Sequence, residues 1–584
     1  MGLGCTREQE RVEAALGGLN EAVPAFVPDQ DVKSAGVLFA LPALLLNGLL
    51  KYANNYLSFP KGYYGLQSFL LLLSFAALLR IKSLEAIRYC EAGELGKAIG
   101  LDRIPEIRTL RKKVKYITNH GEPEQWSKEL SKYWMEEDPE LAGILYVDGH
   151  VRVYSGSKTP LPKRYVSRQK LCLRGLTDYW VNDAVGKPFF VVSKAVNPGL
   201  LSVMREQIIP RLLRDIPKQP TGEELKANRH LYRFGVVFDR EGYSPEFFKE
   251  MWEKRIACYT YKKYVNDVWP ESEFIEKEVV LNNGEVVKMK LAERGVYFRK
   301  QDLWVREIRK LTDTGHQTSI ITTDFMNNAE VLAARMFSRW SQENFLKYMM
   351  EHYGIDRLIE YEQEAISETT KVVNPRYREL ESQIKTKSTL LNRQRVKYGA
   401  LVLKAEGEEP DIRKYVQEKA TIRESIDTLE EKIEQLRATK NNTEKHIEFS
   451  KLPEDKKFQD LKKSGKQFVD TIKMIAYRAE TAMANTLQEY ISKKDEARSL
   501  VRQIFMTDAD IMPDEKNGVL RITIHNMTNP GNNRYVQQLC DILNSSETLF
   551  TGTNQTPTNS PAERGRTILL YSKDDLRWWA HLWI

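Results

Sequence analysis

Cysteine is scarce: five residues (Cys5, Cys90, Cys172, Cys258, Cys540) lie far apart with no CxxC pair. That excludes a disulfide framework and a structural zinc site, and a reducing compartment fits best. The eight histidines are scattered, without HExxH or Cys/His metal spacing. No GxGxxG, Walker A or GxSxG motif occurs, and Gly93-Glu94-Leu95-Gly96-Lys97 lacks phosphate-loop spacing. Hydride transfer, nucleotide hydrolysis and serine hydrolysis are therefore poor readings. No long apolar run is present either. Ala35 to Leu50 and Leu66 to Leu79 fall short of the roughly 20 residues that span a bilayer. Pro42 and Asn47 interrupt the first, and Gln67, Ser68 and Ser74 the second. We read them as helices buried in a helical domain, against a membrane hairpin with Tyr63, Tyr64 and Arg80 as interfacial anchors. The expectation is a chain without membrane association.

What is present suits a multidomain protein. At about 150 residues per domain, 584 residues suggest three or four domains. Hydrophobic residues make up 42% and charged residues 29%, enough to bury real cores. Lys and Arg total 88 against 80 Asp and Glu, and the net charge of +8 permits an anionic partner without requiring one.

The organisation reads as follows. Residues 1–30 form an N-terminal tail, and 31–137 a helical domain. Within it, Glu94 to Leu101, a turn through Pro105 and Glu106 to Lys115 resemble a helix-turn-helix. Arg108, Arg111, Lys112 and Lys113 load its second helix and would meet DNA phosphates; the competing reading is a solvated basic face. Over 138–262 the period changes to strands, in the order β-β-β-α-β-α-β of a ribonuclease-H-like α/β domain. A basic loop there carries Lys158, Lys163, Arg164 and Arg168. Residues 263–322 interrupt that order with further strands and an Asn282-Asn283-Gly284 hairpin turn. One helix is predicted from about Asn328 to Tyr353, within 323–370. Residues 376–448 show 4-3 apolar spacing on both sides of a break at 406–411, predicting an antiparallel coiled-coil hairpin. A long helix (452–508) and a small α/β region (509–584) complete the chain.

Asp148 and Asp239 each end an apolar strand, and Glu343 sits within a helix. By residue type alone this is weak, since buried strands often end in aspartate. Physically it is coherent: adjacent strand ends bring two carboxylates together and a packed helix supplies a third. Three hard oxygen ligands suit Mg²⁺ or Mn²⁺, and two ions about 4 Å apart would clamp the oxygens of a phosphodiester.

The segments ILYVDGHVRVYSG (Ile144 to Gly156), LPKRYVSRQKL (Leu161 to Leu171), VVFDREGYS (Val236 to Ser244) and RWSQENFLKYMMEHYGIDRL (Arg339 to Leu358) resemble bacterial insertion-sequence transposases of the DDE type. The branch is the one with a β-strand insertion before the glutamate helix, and the resemblance covers roughly 35 to 505. It implies that Asp148, Asp239 and Glu343 hold two Mg²⁺ or Mn²⁺ ions and are the catalytic residues. One transposon strand would be cut to expose a 3′-hydroxyl, which then attacks target DNA. The branch has a tyrosine, arginine, glutamate and lysine signature. Arg339 and Glu343 match it, but Met336 and Met350 occupy the tyrosine and distal lysine positions, with Lys347 nearer.

Arg339 and Lys347, one turn to each side of Glu343, would hold phosphates; alternatively they form salt bridges with Glu343. Arg240 beside Asp239 and the 158–170 loop are similar candidates. His150 is read as structural rather than as a metal neighbour. Trp304 and Trp340 would wedge or stack on a flipped base or, the favoured reading, are core or interface residues. The expected partner is double-stranded DNA, transposon ends and target, with a homodimer at synapsis. The expected location is cytoplasmic, at the nucleoid. The rivals are an inactive transposase-derived DNA-binding scaffold and a membrane-anchored coiled-coil protein.

Overall fold

The computed structural model describes residues 5–154, 161–166, 171–194, 199–265, 267–281, 284–337, 340–357, 363–364, 366–405, 412–458, 460–491, 493–550 and 566–572. The architecture is mixed α/β. After β1 (Asp29–Val32), ten strands follow in order: β2 (Ile144–Val153), β3 (Lys163–Val166), β4 (Leu171–Asn182), β5 (Pro188–Lys194), β6 (Phe234–Phe238), β7 (Ile256–Tyr261), β8 (Ile275–Val280), β9 (Val286–Phe298), β10 (Leu303–Leu311) and β11 (Gln317–Thr322). They form one sheet in the order β3-β4-β2-β6-β7-β11-β10-β9-β8, with β5 paired to β4. At its centre β2, β6 and β7 run parallel. All five residues of β6, Phe-Gly-Val-Val-Phe, are buried, the pattern of a parallel strand covered on both faces.

One sequence expectation shifts here: part of the basic loop after β2 is a strand, β3, on the sheet's edge. The 263–322 segment joins its strands to the same sheet, β11 pairing with β7 with Ile320 opposite Tyr261. Of its hairpin turn, Asn282 and Asn283 lie outside the described residues, while Gly284 has φ +81°, a conformation that favours glycine.

The most deeply buried helix is Ser464–Gln488, with 19 buried residues. It packs against the Leu66–Leu78 helix, the Pro123–Glu137 helix and β5. Both apolar runs of the N-terminal region end in this core: Leu66–Leu78 is one helix, and 35–50 breaks into a 3-10 turn and a short helix. Among the described residues no helix is long and apolar enough to cross a membrane. The long helix expected near the C-terminus stops at Gln488 and resumes as Ala497–Met506. The break folds the second piece back against the first, so that Leu500, Val501, Ile504 and Phe505 are buried rather than carried into solvent.

The two chain ends share a sheet. β1 pairs antiparallel with Ala509–Asp514, which joins Val519–Ile524 and Arg566–Ser572. Close packing here demands glycine at position 36, where a Cβ would fall 2.0 Å from the Ile504 carbonyl oxygen. Farther out, helices Pro375–Ala405 and Ile412–Asn441 lie side by side. Glu381 pairs with Lys440 and Arg395 with Glu430, so the two run antiparallel. Leu391, Ile426 and Ile433 form their buried seam.

Candidate active site

β2 and β6 are in register from Ile144 with Gly235 to Val147 with Phe238. Asp148 and Asp239 are the next residue on each strand. Two carboxylates therefore leave neighbouring parallel strands, about 4.8 Å apart, at the same level of the sheet. Val147 and Phe238 are buried, and the aspartates are half-buried. Each carboxylate also accepts from the next backbone N–H: Asp148 from Gly149 at 2.9 Å and Asp239 from Arg240 at 2.7 Å. The second bond caps the short turn Arg240–Gly242.

Glu343 is exposed on the Trp340–Tyr348 helix, whose Phe345 and Leu346 are buried. Phe345 meets Trp180 edge-on at 5.4 Å between ring centres, and Trp180 lies directly opposite Asp148 on β4. Opposed residues of paired strands project to the same face. The Glu343 helix thus sits on the sheet face to which Asp148 points. The chain continues from this helix into a wider turn, Met349–Tyr353; of the helix expected over 328–353, Ala329–Phe337 and Trp340–Tyr348 are α-helical, and residues 338–339 lie outside the described residues.

The three carboxylates do not form a group whose oxygens all lie within 4.8 Å of one another. Among the described residues that closeness belongs to Asp31, Asp510 and His525, where β1 meets its partner strand. There His525 Nε2 lies 3.0 Å from Asp510 and 3.2 Å from Asp31, so the imidazole bridges the two strands that join the chain ends.

The basic candidates divide. Arg240, Lys163 and Lys347 are exposed. Arg164 lies on β3 opposite Leu173. Lys158, Arg168 and Arg339 lie outside the described residues. On the helix Ile107–His120, Arg108, Arg111 and Lys112 are exposed, and Arg111 pairs with Glu85. Lys113 corrects the sequence reading. It is buried, donates from Nζ to the Tyr64 carbonyl at 2.8 Å and lies 4.0 Å over the Phe59 ring. Burial pushes its ammonium down to about 8. Four residues of one basic cluster cannot all face outward on a helix of 3.6 residues per turn, and position 113 falls on the stripe of Leu110, Val114 and Ile117.

His150 lies two residues beyond Asp148, opposite Asp178. Trp304, read as a core or interface residue, is 59% exposed, which leaves it out of the core, and packs on Tyr297 at 5.1 Å. Trp340's side chain lies outside the described residues. Met336, at the signature's tyrosine position, is fully buried behind the sheet with Leu332 and Ile308. An apolar slot there explains a methionine.

Sequence reasoning missed the groups that hold these elements. Arg152, on β2, makes a bidentate pair with Asp178 of β4 at 2.7 and 2.9 Å, and Ser193 of β5 donates to the same carboxylate. Burial alone would raise Asp178, but the guanidinium overrides it and holds the carboxyl at about 2. Glu480, buried in the central helix, accepts from Tyr348, Tyr353 and Arg80. A glutamate and arginine inside the run Met474 to Met483 were the available signal, since charges on an all-buried helix must be paired.

Among known proteins, a family model described as Transposase protein matches residues 2–558. The chain belongs to that family and is a DNA transposase, an enzyme class that cuts and transfers DNA strands. The chain is also similar to a solved structure, the cryo-EM structure of piggyBac transposase synaptic complex with hairpin DNA. Identity is 10%, 77% of each chain is covered, and the TM-score is 0.26. No curated protein matches the chain.

Proposed function

We propose that this transposase is of the DDE type, an insertion-sequence enzyme with a ribonuclease-H-like core in which Asp148, Asp239 and Glu343 act together. The observation that carries the reading is the position of Asp148 and Asp239, each one residue past the last registered pair of β2 and β6. A Glu343 helix seated on Trp180 supports it.

The donor set fits hard divalent cations: three carboxylates, two half-buried and one exposed, with no soft ligand required. Asp148, Asp239 and Glu343 would hold two Mg²⁺ or Mn²⁺ ions, which lower the pKa of an attacking water or hydroxyl and stabilise the leaving oxygen. The chain's own residues then do the rest. Arg240 and Lys347, exposed beside the carboxylates, bind phosphate oxygens, with Arg339 as a further candidate. Lys163 and Arg164 on β3, with Lys158 and Arg168 around them, track the DNA backbone. Arg108, Arg111 and Lys112 form a second basic surface on the N-terminal helical domain. Backbone neutralisation of this kind positions the duplex and makes binding salt-sensitive. Exposed Trp304, against Tyr297, offers a base-stacking surface. The antiparallel hairpin of 375–441 is read as a coiled coil that either pairs protomers at synapsis or folds back on its own chain, in a cytoplasmic, nucleoid-associated enzyme.

Incubation of the full chain with DNA carrying the element's ends and Mg²⁺ tests this reading. Strand cleavage is expected, with loss in Asp148→Ala and in Asp239→Ala. End binding by wild type with no metal-dependent cleavage would instead establish the scaffold reading.

A further inference from the structure

A cavity of about 470 Å³ opens between the end of the Leu66–Leu78 helix, the Ala497–Met506 helix and residues 526–528. Among the described residues two guanidiniums, Arg80 and Arg502, line it, and no carboxylate does. Ser499 and Gln503 add neutral polar groups; Leu78, Met506 and Met527 supply apolar wall.

The local charges do not balance. Glu480 is the buried carboxylate behind the cavity. It already serves Arg80 at 2.8 Å, Arg498 at 3.5 Å and two tyrosine hydroxyls. Arg502 lies one turn beyond Arg498 on the same helix face and has no carboxylate within ion-pair distance among the described residues. Its contacts are long and to neutral groups, 3.3 Å to His352 Nε2 and 3.4 Å to Ser499 Oγ. Burial, with Arg80 and Arg502 beside it, pushes the His352 imidazole down, so it stays a neutral neighbour. Arg502 Nε and Arg80 Nε and Nη1 are buried without a hydrogen-bond partner among the described residues. A partly buried guanidinium without an anion, as at Arg502, is costly.

We propose that this cavity binds a phosphate-bearing ligand of nucleotide size. The phosphate sits on Arg502 and Arg80, whose planar forks match its oxygens, after small side-chain shifts that bring the unpaired N–H groups to it. A flat apolar portion lies against Leu78, Met506 and Met527. The volume falls in the range, about 300–1,000 Å³, of pockets that enclose small ligands. Phosphate could arrive on a free nucleotide or as part of DNA. None of the three carboxylates proposed for catalysis lines the cavity.

Calorimetric titration of the full chain, with divalent metal chelated, tests the site against deoxyadenosine monophosphate, inorganic phosphate and a short DNA duplex. Chelation separates it from the carboxylate reading, which concerns metal-dependent cleavage. A free-nucleotide site binds the monophosphate, with inorganic phosphate competing. Arg502→Gln then weakens binding about tenfold or more, the loss expected for a charge-assisted bond. Met506→Glu, at a position 59% exposed and so tolerant of substitution, weakens it comparably by repulsion. A DNA-phosphate site binds the duplex far more tightly than the monophosphate, inorganic phosphate competes weakly, and both cavity variants weaken duplex binding more than Lys493→Gln, an exposed control. The proposal is overturned if the two cavity variants, melting as wild type does, bind every probe as wild type does. It is equally overturned if neither small probe binds or competes and all three variants affect the duplex alike.

Discussion

Tyr348 donates its hydroxyl to the buried carboxylate of Glu480, fastening the helix that carries Glu343 to the most deeply buried helix of the protein. Arg80 and Tyr353 converge on the same carboxylate, and Phe345 packs edge-on against Tyr477 of that helix at 5.1 Å. Glu343 itself is exposed, so its placement depends on these neighbours. Tyr348→Phe removes a hydrogen bond to a charged acceptor, worth roughly 1.5–3 kcal/mol. The expected outcome is a lowered melting temperature together with a several-fold rise in the Mg²⁺ concentration that gives half-maximal cleavage. A lower melting temperature with an unchanged metal titration would make Tyr348 a purely structural residue.

Metal binding has a signature independent of catalysis. Asp148 and Asp239 stand on neighbouring strands at one level, where their like charges repel. Asp148→Asn relieves that repulsion, so in chelator the variant should melt at or slightly above the wild-type temperature. Added Mg²⁺ should raise the wild-type melting temperature, because a ligand that binds only the folded chain stabilises it. It should leave Asp148→Asn nearly unmoved. Equal responses of the two proteins in a thermal melt would remove Asp148 from the ligand set.

Lys112 and Lys113 are sequence neighbours with opposite fates. Lys112 is exposed, whereas Lys113 is 7% exposed and spends its ammonium on the Tyr64 carbonyl. Lys112→Gln should weaken DNA binding uniformly across sequences and reduce the slope of log K against log salt by about 1. Lys113→Met should leave that slope unchanged. Filter binding over a range of salt concentrations measures both, and a salt-slope change in Lys113→Met would contradict its buried placement.

The sheet was legible where strand chemistry is local. Ile144 to Val147 and Phe234 to Phe238 read as buried strands ending in aspartate, and they are adjacent and parallel. A serine before a proline marks a helix start by local chemistry alone, and the Ser244 hydroxyl accepts from the Phe247 N–H. What the sequence hid was pairing at a distance. Nothing local announces that Asp29–Val32 pairs with Ala509–Asp514, or that 317–322 completes the sheet beside β7. Buried charges were equally hidden, because Lys113, Arg152 and Glu480 look like surface residues until their partners, far along the chain, are known. The order in which Asp148, Asp239 and Glu343 recur was visible only through resemblance, since spacing between strand ends carries no rule of its own.

Lys473 gives the fold a predictable pH response. It lies on the central helix, is 5% exposed, and donates from Nζ to the carbonyls of Gly354 at 3.0 Å and Lys82 at 3.3 Å. Burial, reinforced by nearby Lys466, pushes its ammonium down to about 7, against about 10.4 for an unfolded lysine. Between those values the unfolded chain binds more protons at this site than the folded chain. Stability from this group therefore rises with pH, with a slope of up to roughly 1.4 kcal/mol per pH unit. Below pH 7 both states are protonated and the slope vanishes. Lys473→Met deletes the titration, whatever it does to absolute stability through the two carbonyls it leaves unpaired. Chemical denaturation from pH 6 to pH 10 should show wild-type stability gaining on that of the variant above pH 7. Parallel profiles would mean that Lys473 keeps its charge in the core.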